Sequence, residues 1–307
     1  MKMYTDPYGS KWTTIQADFR DTLAHVAGIG GADLIATSPP YCDARTYGAG
    51  VSWGDAEYAA LGDSVFAALK PGGHALINVD APVRDWTNDG RGTERGLHPW
   101  RLMLDWHDRI GFRVVDRLAF GRMGIPGEYR GRFRNDWEPL LWFQRPDVDG
   151  WFDRICLARC AVTGTRNDGT SGVRPDGTVY KRMKSGWAAE NGMIHRGTYW
   201  DYGAAGGGQS GAPDIEAENH PARWPYKLAE DIVRCFCPPD GLAVDPFVGA
   251  GTSAVAALEH GRRFHGGDLG VRTADAERGL DAVPWVVVAE RVIDRRFRQQ
   301  RLFGGSK

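Results

Sequence analysis

Residues Ser38, Pro39, Pro40 and Tyr41 directly follow the short apolar segment ADLIAT, residues 32–37. Proline lacks a backbone donor and keeps the residue before it out of the helical region, so a strand has to end there. The corner carries a hydroxyl and a rigidly held carbonyl, both of which accept hydrogen bonds, and a ring on which a planar group can stack. A Pro-Pro pair after a strand is also a common chain reversal, so the corner alone leaves both interpretations open.

A second segment with chemical potential, DPFVGAGTS, occupies residues 245–253. Gly249 and Gly251 allow a sharp turn between a buried strand and a helix that begins at Thr252, whose first N–H groups are available to a ligand. Asp268 ends the next strand, where a carboxylate accepts hydrogen bonds from ribose hydroxyls. The pattern predicts a site for an adenosine-type cofactor.

The spacing Gly249-x-Gly251-x-x-Ala254 also fits the dinucleotide fingerprint, which makes a nicotinamide-dependent Rossmann oxidoreductase an alternative interpretation. A dinucleotide fold needs several strands after its first βαβ unit, and only 56 residues of the 307 follow Gly251. If this turn belongs to the first strand of a doubly wound sheet, the other strands come from the N-terminal half. The sheet would then be circularly permuted.

Alternating strands and helices surround both segments. Between residues 12 and 145, apolar strand-like runs alternate with helical stretches, and the helix from Asp55 places Tyr58, Leu61, Val65 and Leu69 on one face. The same alternation returns from His220 onwards. Strands that alternate with helices indicate an α/β domain with a largely parallel sheet.

A stretch of different composition separates the two halves. From Arg154 to Arg196 there are eight Lys or Arg against three Asp or Glu, and a glycine-rich connector, YGAAGGGQSGAP, follows. We therefore expect residues 146–214 to be a basic insert between two parts of one domain, residues 1–145 and 215–307.

Composition sets few limits on function. Charged residues at 25% and hydrophobic residues at 42% are ordinary for a globular protein, and the net charge of −1 excludes no partner. No apolar run approaches the roughly 20 residues of a membrane span, so a soluble, cytoplasmic protein without a membrane role is expected. The five cysteines lack the usual zinc spacing, and no metal is expected.

The order of the two segments resembles one known family. TSPPY, residues 37–41, resembles the catalytic motif IV of the β-group DNA amino-methyltransferases, and DPFVGAG, residues 245–251, resembles their motif I, which binds S-adenosylmethionine. Motif IV before motif I, with a target-recognition region between them, is the order of that group. The resemblance implies a circularly permuted Rossmann-like methyltransferase sheet of α/β class, with residues 146–214 as the inserted target-recognition region.

The resemblance also implies roles for individual residues. Ser38 Oγ and the carbonyl of Pro39 would accept hydrogen bonds from the amine of a base that has left the duplex, and Tyr41 would stack on that base. No covalent cysteine is required, so Cys42 is only a neighbour. The implied catalytic residues are Ser38, Pro39, Pro40 and Tyr41, and the implied contacts to the cofactor are Asp245, Phe247, Gly249, Gly251 and Thr252 for its methionine part, Asp268 for the ribose, and Asp18 and Phe19 for the adenine.

The target and the partners follow from the same resemblance. Serine at position 38 favours N4 of cytosine as the methylated atom, with N6 of adenine as the alternative. Further alternatives are a methyltransferase that acts on RNA or on protein amides, and a DNA-binding protein that no longer methylates. The implied partners are double-stranded DNA, gripped in part by the arginines of residues 122–134 and the basic insert, and a cognate restriction endonuclease in a restriction-modification pair, with the enzyme itself a monomer or homodimer.

Overall fold

The structure, a computed structural model, describes most of the chain. The described residues are 2–5, 11–41, 53–81, 83–84, 94–121, 133, 135–154, 156–157, 159–160, 171–181, 188–189, 193–194, 196–202, 224–272 and 281–303. Cys42, the arginines of residues 122–134 and most of the glycine-rich connector lie outside them. The chain divides into a first unit, Met1–Phe152 with Tyr199–Lys307, and a second unit, Asp153–Thr198.

A nine-stranded sheet forms the centre of the first unit. The strands are β1 (Lys2–Thr5), β2 (Trp12–Gln16), β3 (Ala32–Thr37), β4 (Leu69–Asn78), β5 (Arg113–Gly121), β6 (Trp137–Gln144), β7 (Tyr199–Asp201), β8 (Leu242–Asp245) and β9 (Arg263–Gly267). Their order in the sheet is β1-β2-β9-β8-β3-β4-β6-β5-β7. The pairs β2–β9, β9–β8, β8–β3 and β3–β4 are parallel, and the pairs β1–β2, β4–β6 and β6–β5 are antiparallel.

Six α-helices accompany this sheet in the described part of the chain. They are α1 (Phe19–Gly28), α2 (Asp55–Ala68), α3 (His98–Asp105), α4 (Tyr226–Phe236), α5 (Thr252–Glu259) and α6 (Trp285–Phe303). Residues 98–112, HPWRLMLDWHDRIGF, do not form one continuous helix. The helix α3 ends at Asp105, a π-helical turn covers Trp106–Ile110, and Gly111 ends that turn with a φ of 92°. Among the described residues no helix has the length and apolar character to cross a membrane.

The winding of the sheet reverses between β8 and β3. From β3 the chain passes through α2 to β4 on one side, and from β8 it passes through α5 to β9 on the other. Since such crossovers are right-handed, α2 and α5 lie on opposite faces of the sheet. The central strand β8 comes from the last quarter of the sequence, which confirms the permuted Rossmann-like sheet. The carboxyl ends of β8 and β3 form the switch point at which α/β sheets bind ligands.

The apolar face predicted for the second helix is buried. Tyr58, Leu61 and Val65 of α2 are at most 1% exposed and pack with Leu69 and the strands β3 and β4 in one core cluster. The helix begins at Asp55 because the Glu57 carboxylate accepts a 2.9 Å hydrogen bond from the backbone N–H of Gly54. Burial of each side chain of this size contributes about 1.5–3 kcal/mol to the free energy of folding. This face therefore fixes α2, the helix that follows the proline corner in the chain, against the sheet.

The described residues of the second unit form short strands and no helix. Ser171–Val173 pairs with Val179–Lys181, and Met193–Ile194 pairs with both Ala188–Ala189 and Arg159–Cys160. This unit is shorter than the insert of residues 146–214 expected from composition, because Tyr199–Asp201 returns to the large sheet as β7, parallel to β5. Its role in target recognition stays a prediction.

Candidate active site

The proline corner and the glycine turn meet at the switch point of the sheet. Thr37 is the last residue of β3 and Asp245 the last of β8, and these strands are neighbours. Thr37 Oγ1 donates a 2.6 Å hydrogen bond to Asp245 Oδ1. The two segments that the sequence analysis singled out are therefore joined directly, one residue before Ser38.

The Asp245 carboxylate organises the start of the glycine turn. Besides Thr37, it accepts hydrogen bonds from the backbone N–H of Phe247 at 3.0 Å and from Ser253 Oγ at 2.6 Å. Burial raises the pKa of Asp245, and these three donors oppose that rise. Asp245 thus fixes the turn and the first helical residues of α5, while its contact with the methionine part of a cofactor stays a prediction.

The turn itself depends on two glycines. Gly249 has a φ of 48° and Gly251 a φ of 89°, in the left-handed region that favours glycine. Gly251 precedes Thr252, the first residue of α5, and a Cβ on Gly251 would lie 3.1 Å from the Cα of Ala289 in α6. The turn is therefore held close to the neighbouring helix while the N–H groups at the start of α5 face the carboxyl edge of the sheet.

Asp268 follows β9 and reaches back to the same turn. Its Oδ2 accepts a 2.9 Å hydrogen bond from the N–H of Gly249, and its Oδ1 accepts a 2.7 Å bond from the N–H of Gly270. Burial raises the pKa of Asp268 to about 6, although the two backbone donors lower it. Each carboxylate oxygen keeps a further lone pair, so both can still accept a hydrogen bond from a hydroxyl.

An aromatic cluster stands beside the turn. The ring of Phe19 lies 5.7 Å from that of Phe247 and 5.5 Å from that of Trp53, and Trp53 lies 5.4 Å from Phe247. Asp18 is the N-cap of α1 and accepts a 2.9 Å hydrogen bond from the N–H of Arg20. The structure thus brings Asp18, Phe19 and Phe247 together, while their contact with adenine stays a prediction.

Sequence reasoning missed Trp53. Its side chain is 7% exposed, and its buried Nε1 has no hydrogen-bond partner within the part of the chain that the structure describes. A buried donor without an acceptor is costly, so an acceptor on a ligand would relieve it. The available signal was an aromatic residue directly before a helix start, SWGD, which is not specific.

Hydrogen bonds from α2 and from the π-helical turn hold the proline corner in place. Tyr58 donates a 3.0 Å hydrogen bond from its hydroxyl to the carbonyl of Pro40, and Trp106 Nε1 donates a 3.0 Å bond to the carbonyl of Tyr58. Tyr58 and Trp106 are both at most 1% exposed. The carbonyl of Pro40 is therefore held by the core, and the peptide unit of Pro39 is fixed with it.

A buried polar network ends at the corner. The hydroxyl of Tyr41 lies 2.9 Å from Glu138 Oε2 and 3.2 Å from Asn78 Oδ1, and Ser38 Oγ donates to it at 3.4 Å. Asn78 is the last residue of β4 and Glu138 belongs to β6, and their side chains are 1% and 5% exposed. Burial and the Glu138 carboxylate raise the pKa of Tyr41 well above its usual value, so the phenol stays protonated.

Across the described ranges, no group of three or more His, Cys, Asp or Glu side chains is arranged to hold a metal ion. The donors and acceptors that are present suit an organic ligand with hydroxyl groups and an aromatic ring.

The doubly wound, permuted sheet carries the proline corner and the glycine turn at its switch point. This arrangement agrees with the class of Rossmann-like methyltransferases that the resemblance implies. The family model described as DNA methylase matches residues 32–275, and the chain belongs to this family of DNA N6/N4 amino-methyltransferases.

Individual relatives agree with this family. The chain is 25% identical over 246 residues to the orphan methyltransferase M.BamHII of Bacillus amyloliquefaciens, which covers 79% of this chain and 86% of that protein. The fold of this chain is similar to that of the PvuII DNA methyltransferase, titled cytosine-N4-specific. The TM-score is 0.59, the identity is 17%, and the match covers 93% of this chain and 92% of that chain. It is also similar to a putative DNA modification methylase of Thermus thermophilus complexed with S-adenosyl-L-methionine, with a TM-score of 0.54, 19% identity and coverage of 92% and 93%.

Proposed function

We propose that this DNA amino-methyltransferase uses S-adenosylmethionine to methylate N4 of a cytosine that is flipped out of double-stranded DNA. The observation that carries the proposal is the Thr37–Asp245 hydrogen bond of 2.6 Å, since it holds the acceptor corner next to the cofactor turn. The corner and the turn belong to one continuous edge of the sheet, as transfer between two bound molecules requires.

The residues around the turn suit this cofactor. Asp268 offers acceptors for the two ribose hydroxyls, and the N–H groups at the start of α5 suit the carboxylate of the methionine part. The rings of Phe19 and Phe247 offer an apolar surface to the adenine, and Trp53 Nε1 offers a donor to one of its ring nitrogens. When bound, S-adenosylmethionine supplies an electrophilic methyl group on its sulfonium.

The corner then has to activate a weak nucleophile. The lone pair of an exocyclic amine is delocalised into the base, so the nitrogen must be pulled toward tetrahedral geometry. Ser38 Oγ and the carbonyl of Pro39 accept its two hydrogens, and the Tyr58–Pro40 bond of 3.0 Å keeps this part of the backbone from drifting. The ring of Tyr41 forms the surface against which the flipped base is placed.

Serine at position 38 favours cytosine over adenine. In the resembling family, N4-cytosine enzymes mostly carry serine at this position, and PvuII methyltransferase, titled cytosine-N4-specific, shares the fold. N6 of adenine is the competing target, because the same two acceptors fit its amine.

We assign the second unit and the arginines of residues 122–134 to DNA binding. Residues 153–198 lie in the chain between the two motifs, where the resembling family carries its recognition region, and they are rich in Lys and Arg. Positive side chains contribute phosphate contacts that position the duplex. The enzyme acts alone or beside a restriction endonuclease of the same specificity.

The test is methyl transfer from labelled S-adenosylmethionine to unmethylated duplex DNA, followed by digestion to nucleosides and mass spectrometry. N4-methylcytosine is the expected product. N6-methyladenine would overturn the target and leave the enzyme class, whereas no transfer to any DNA together with binding of a nicotinamide cofactor would overturn the proposal.

A further inference from the structure

We propose that Glu138 is the terminal acceptor of the proton that the methylated amine releases, and that the proton reaches it through the hydroxyls of Ser38 and Tyr41. The proposal rests on the proposed function and adds a residue from β6 to it. Serine holds a proton poorly, so a corner built on Ser38 needs a route by which the proton leaves.

The geometry forms a continuous chain from the corner to a buried carboxylate. Ser38 Oγ lies 3.4 Å from the Tyr41 hydroxyl, which lies 2.9 Å from Glu138 Oε2. The first distance is long for two hydroxyls, as contacts of catalytic groups often are before substrate binds. The second is typical of a strong hydrogen bond to a carboxylate.

The directions of these bonds follow from the chemistry of the last group. An ionised carboxylate only accepts, so the Tyr41 hydroxyl donates to Glu138. Its oxygen is then the acceptor for Ser38, whose single hydrogen points toward Tyr41 and away from the substrate. The lone pairs of Ser38 Oγ therefore remain for the amine, which is the orientation that the reaction needs.

Two further residues hold Glu138 in this place. Asn78 Nδ2 donates to the carbonyl of Pro139 at 3.0 Å and to Glu138 Oε2 at 3.4 Å. Its Oδ1 accepts a 2.9 Å bond from Trp224 Nε1, which fixes the orientation of the amide. Asn78 and Trp224 are positioning residues in this arrangement.

The proton balance closes without any further reactant. As the amine nitrogen gains a bond to the methyl carbon, the bond between that carbon and the sulfonium sulfur would break with its electron pair left on sulfur, and the nitrogen would carry one proton too many. Its N–H bond breaks as an O–H bond forms on Ser38, the Ser38 proton passes to Tyr41, and the Tyr41 proton passes to Glu138. Both hydroxyls end as they began, and only Glu138 has gained a proton. Tyr41 can pass a proton but cannot keep the negative charge, because burial raises its pKa.

Charged and titratable groups in the described part of the chain interact with Glu138. They include Tyr41 and the carboxylate of Asp80, two residues beyond β4, and Arg95 binds that carboxylate at 2.6 Å and 2.9 Å. The Asp80 pKa is raised by burial, and Arg95 opposes that rise.

The test compares Glu138→Gln with the wild-type protein in single-turnover methylation from pH 5.5 to pH 9. The amide keeps an acceptor for Tyr41 but no basic oxygen, so we expect a rate about 100-fold lower and a pH–rate profile of different shape. Affinity for S-adenosylmethionine, measured by calorimetry, and the melting temperature should stay near wild type.

The variant Tyr41→Phe, alone and combined with Glu138→Gln, tests whether the proton passes through Tyr41. Phenylalanine keeps the ring but breaks the chain, and because both changes act on one path, the double variant should be about as slow as the slower single variant. In cofactor-free protein, the carboxyl carbon NMR signal that Glu138→Gln deletes should move in Tyr41→Phe. Glu259→Gln is the matched control, since Glu259 accepts from another tyrosine, Tyr226, at the far end of α5.

The outcomes separate the two proposals. A wild-type protein that methylates DNA while Glu138→Gln keeps its rate and pH dependence would overturn the relay alone. The relay would also fail if the rate of Glu138→Gln fell by one factor at every pH together with its melting temperature, as a structural role predicts. No transfer by the wild-type protein would instead overturn the proposed function.

Discussion

The hydroxyl of Thr37 donates a 2.6 Å hydrogen bond to the carboxylate of Asp245, although 208 positions separate the two residues. Thr37 is fully buried and Asp245 is 6% exposed. In this setting an unmatched carboxylate oxygen would be costly, so the bond ties the ends of β3 and β8 together. This bond thereby keeps the proline corner next to the glycine turn.

Thr37→Val should destabilise the protein by about 1–3 kcal/mol, because it leaves the buried Asp245 carboxylate with one donor fewer. Urea denaturation of the cofactor-free protein measures this. The matched control is Thr14→Val in β2, where the buried hydroxyl has no partner within the described ranges and the change should be neutral or stabilising. Equal losses in the two variants would show that the bond adds nothing specific.

Ser38→Ala should lower the single-turnover rate of methyl transfer by about 100-fold or more, since the amine loses one of two acceptors. The affinity for S-adenosylmethionine should not change, because the side chain belongs to the corner and not to the turn. Ser64→Ala is the control: its hydroxyl bonds the carbonyl of Ala60 within α2. An unchanged rate in Ser38→Ala would remove Ser38 from the mechanism.

Gly251→Ala should cost more stability than Gly261→Ala. Both glycines have a positive φ, 89° and 72°, so alanine at either position pays about 1–2 kcal/mol for the left-handed backbone. A Cβ at Gly251 also meets Ala289 at 3.1 Å, whereas nothing lies within 4 Å of one at Gly261. The difference in unfolding free energy measures that contact, and Gly251→Ala should also weaken cofactor binding. If the two variants lost the same unfolding free energy, α6 would be able to move away from the added Cβ without cost.

The affinity for S-adenosylmethionine should fall as the pH drops below about 6, the pKa to which burial raises Asp268. The ribose hydroxyls donate to the ionised carboxylate, so binding favours the form that is lost by protonation. The affinity should then fall by up to about tenfold for each pH unit. Calorimetry from pH 5 to pH 8 in buffers of different ionisation enthalpy should show proton release on binding near pH 6.

The stability of the cofactor-free protein should depend on pH in the opposite direction to the affinity for S-adenosylmethionine. The folded state binds this proton more tightly than the unfolded state, so the contribution of Asp268 to stability is lost as the pH rises from about 4 to about 6. Asp268→Asn should therefore abolish both this loss of stability between about pH 4 and about pH 6 and the pH dependence of binding. A variant that loses stability at pH 7 while keeping that dependence would contradict the assignment.

The sequence was sufficient to predict the local geometry of the proline corner and of the glycine turn. Consecutive prolines force the corner at Pro39 and Pro40, and left-handed glycines permit the turn at Gly249 and Gly251, whatever surrounds them. The order of these segments then predicted the permuted sheet, because strands missing after the turn have to come from the other half of the chain.

The supporting residues could not be predicted in the same way. Glu138 looks like an isolated charge in the apolar run WEPLLWF, and its relation to Tyr41 exists only because β6 pairs with β4 in an antiparallel register. Nothing local to Glu138 or Asn78 records that pairing. The strand β7 was missed for a similar reason: a three-residue strand has too few positions to show a period.

The distance along the chain between Thr37 and Asp245 also has a consequence for biosynthesis. At about 5–20 residues per second, a ribosome needs about 10–40 s to add the 208 residues from Ser38 to Asp245. During that time β3 has no β8 beside it, and one side of a strand destined for the middle of the sheet is an open edge. The nascent chain is therefore most exposed to aggregation before its last quarter emerges, and chaperones that shield strand edges should raise the yield of the full protein more than they alter its final stability.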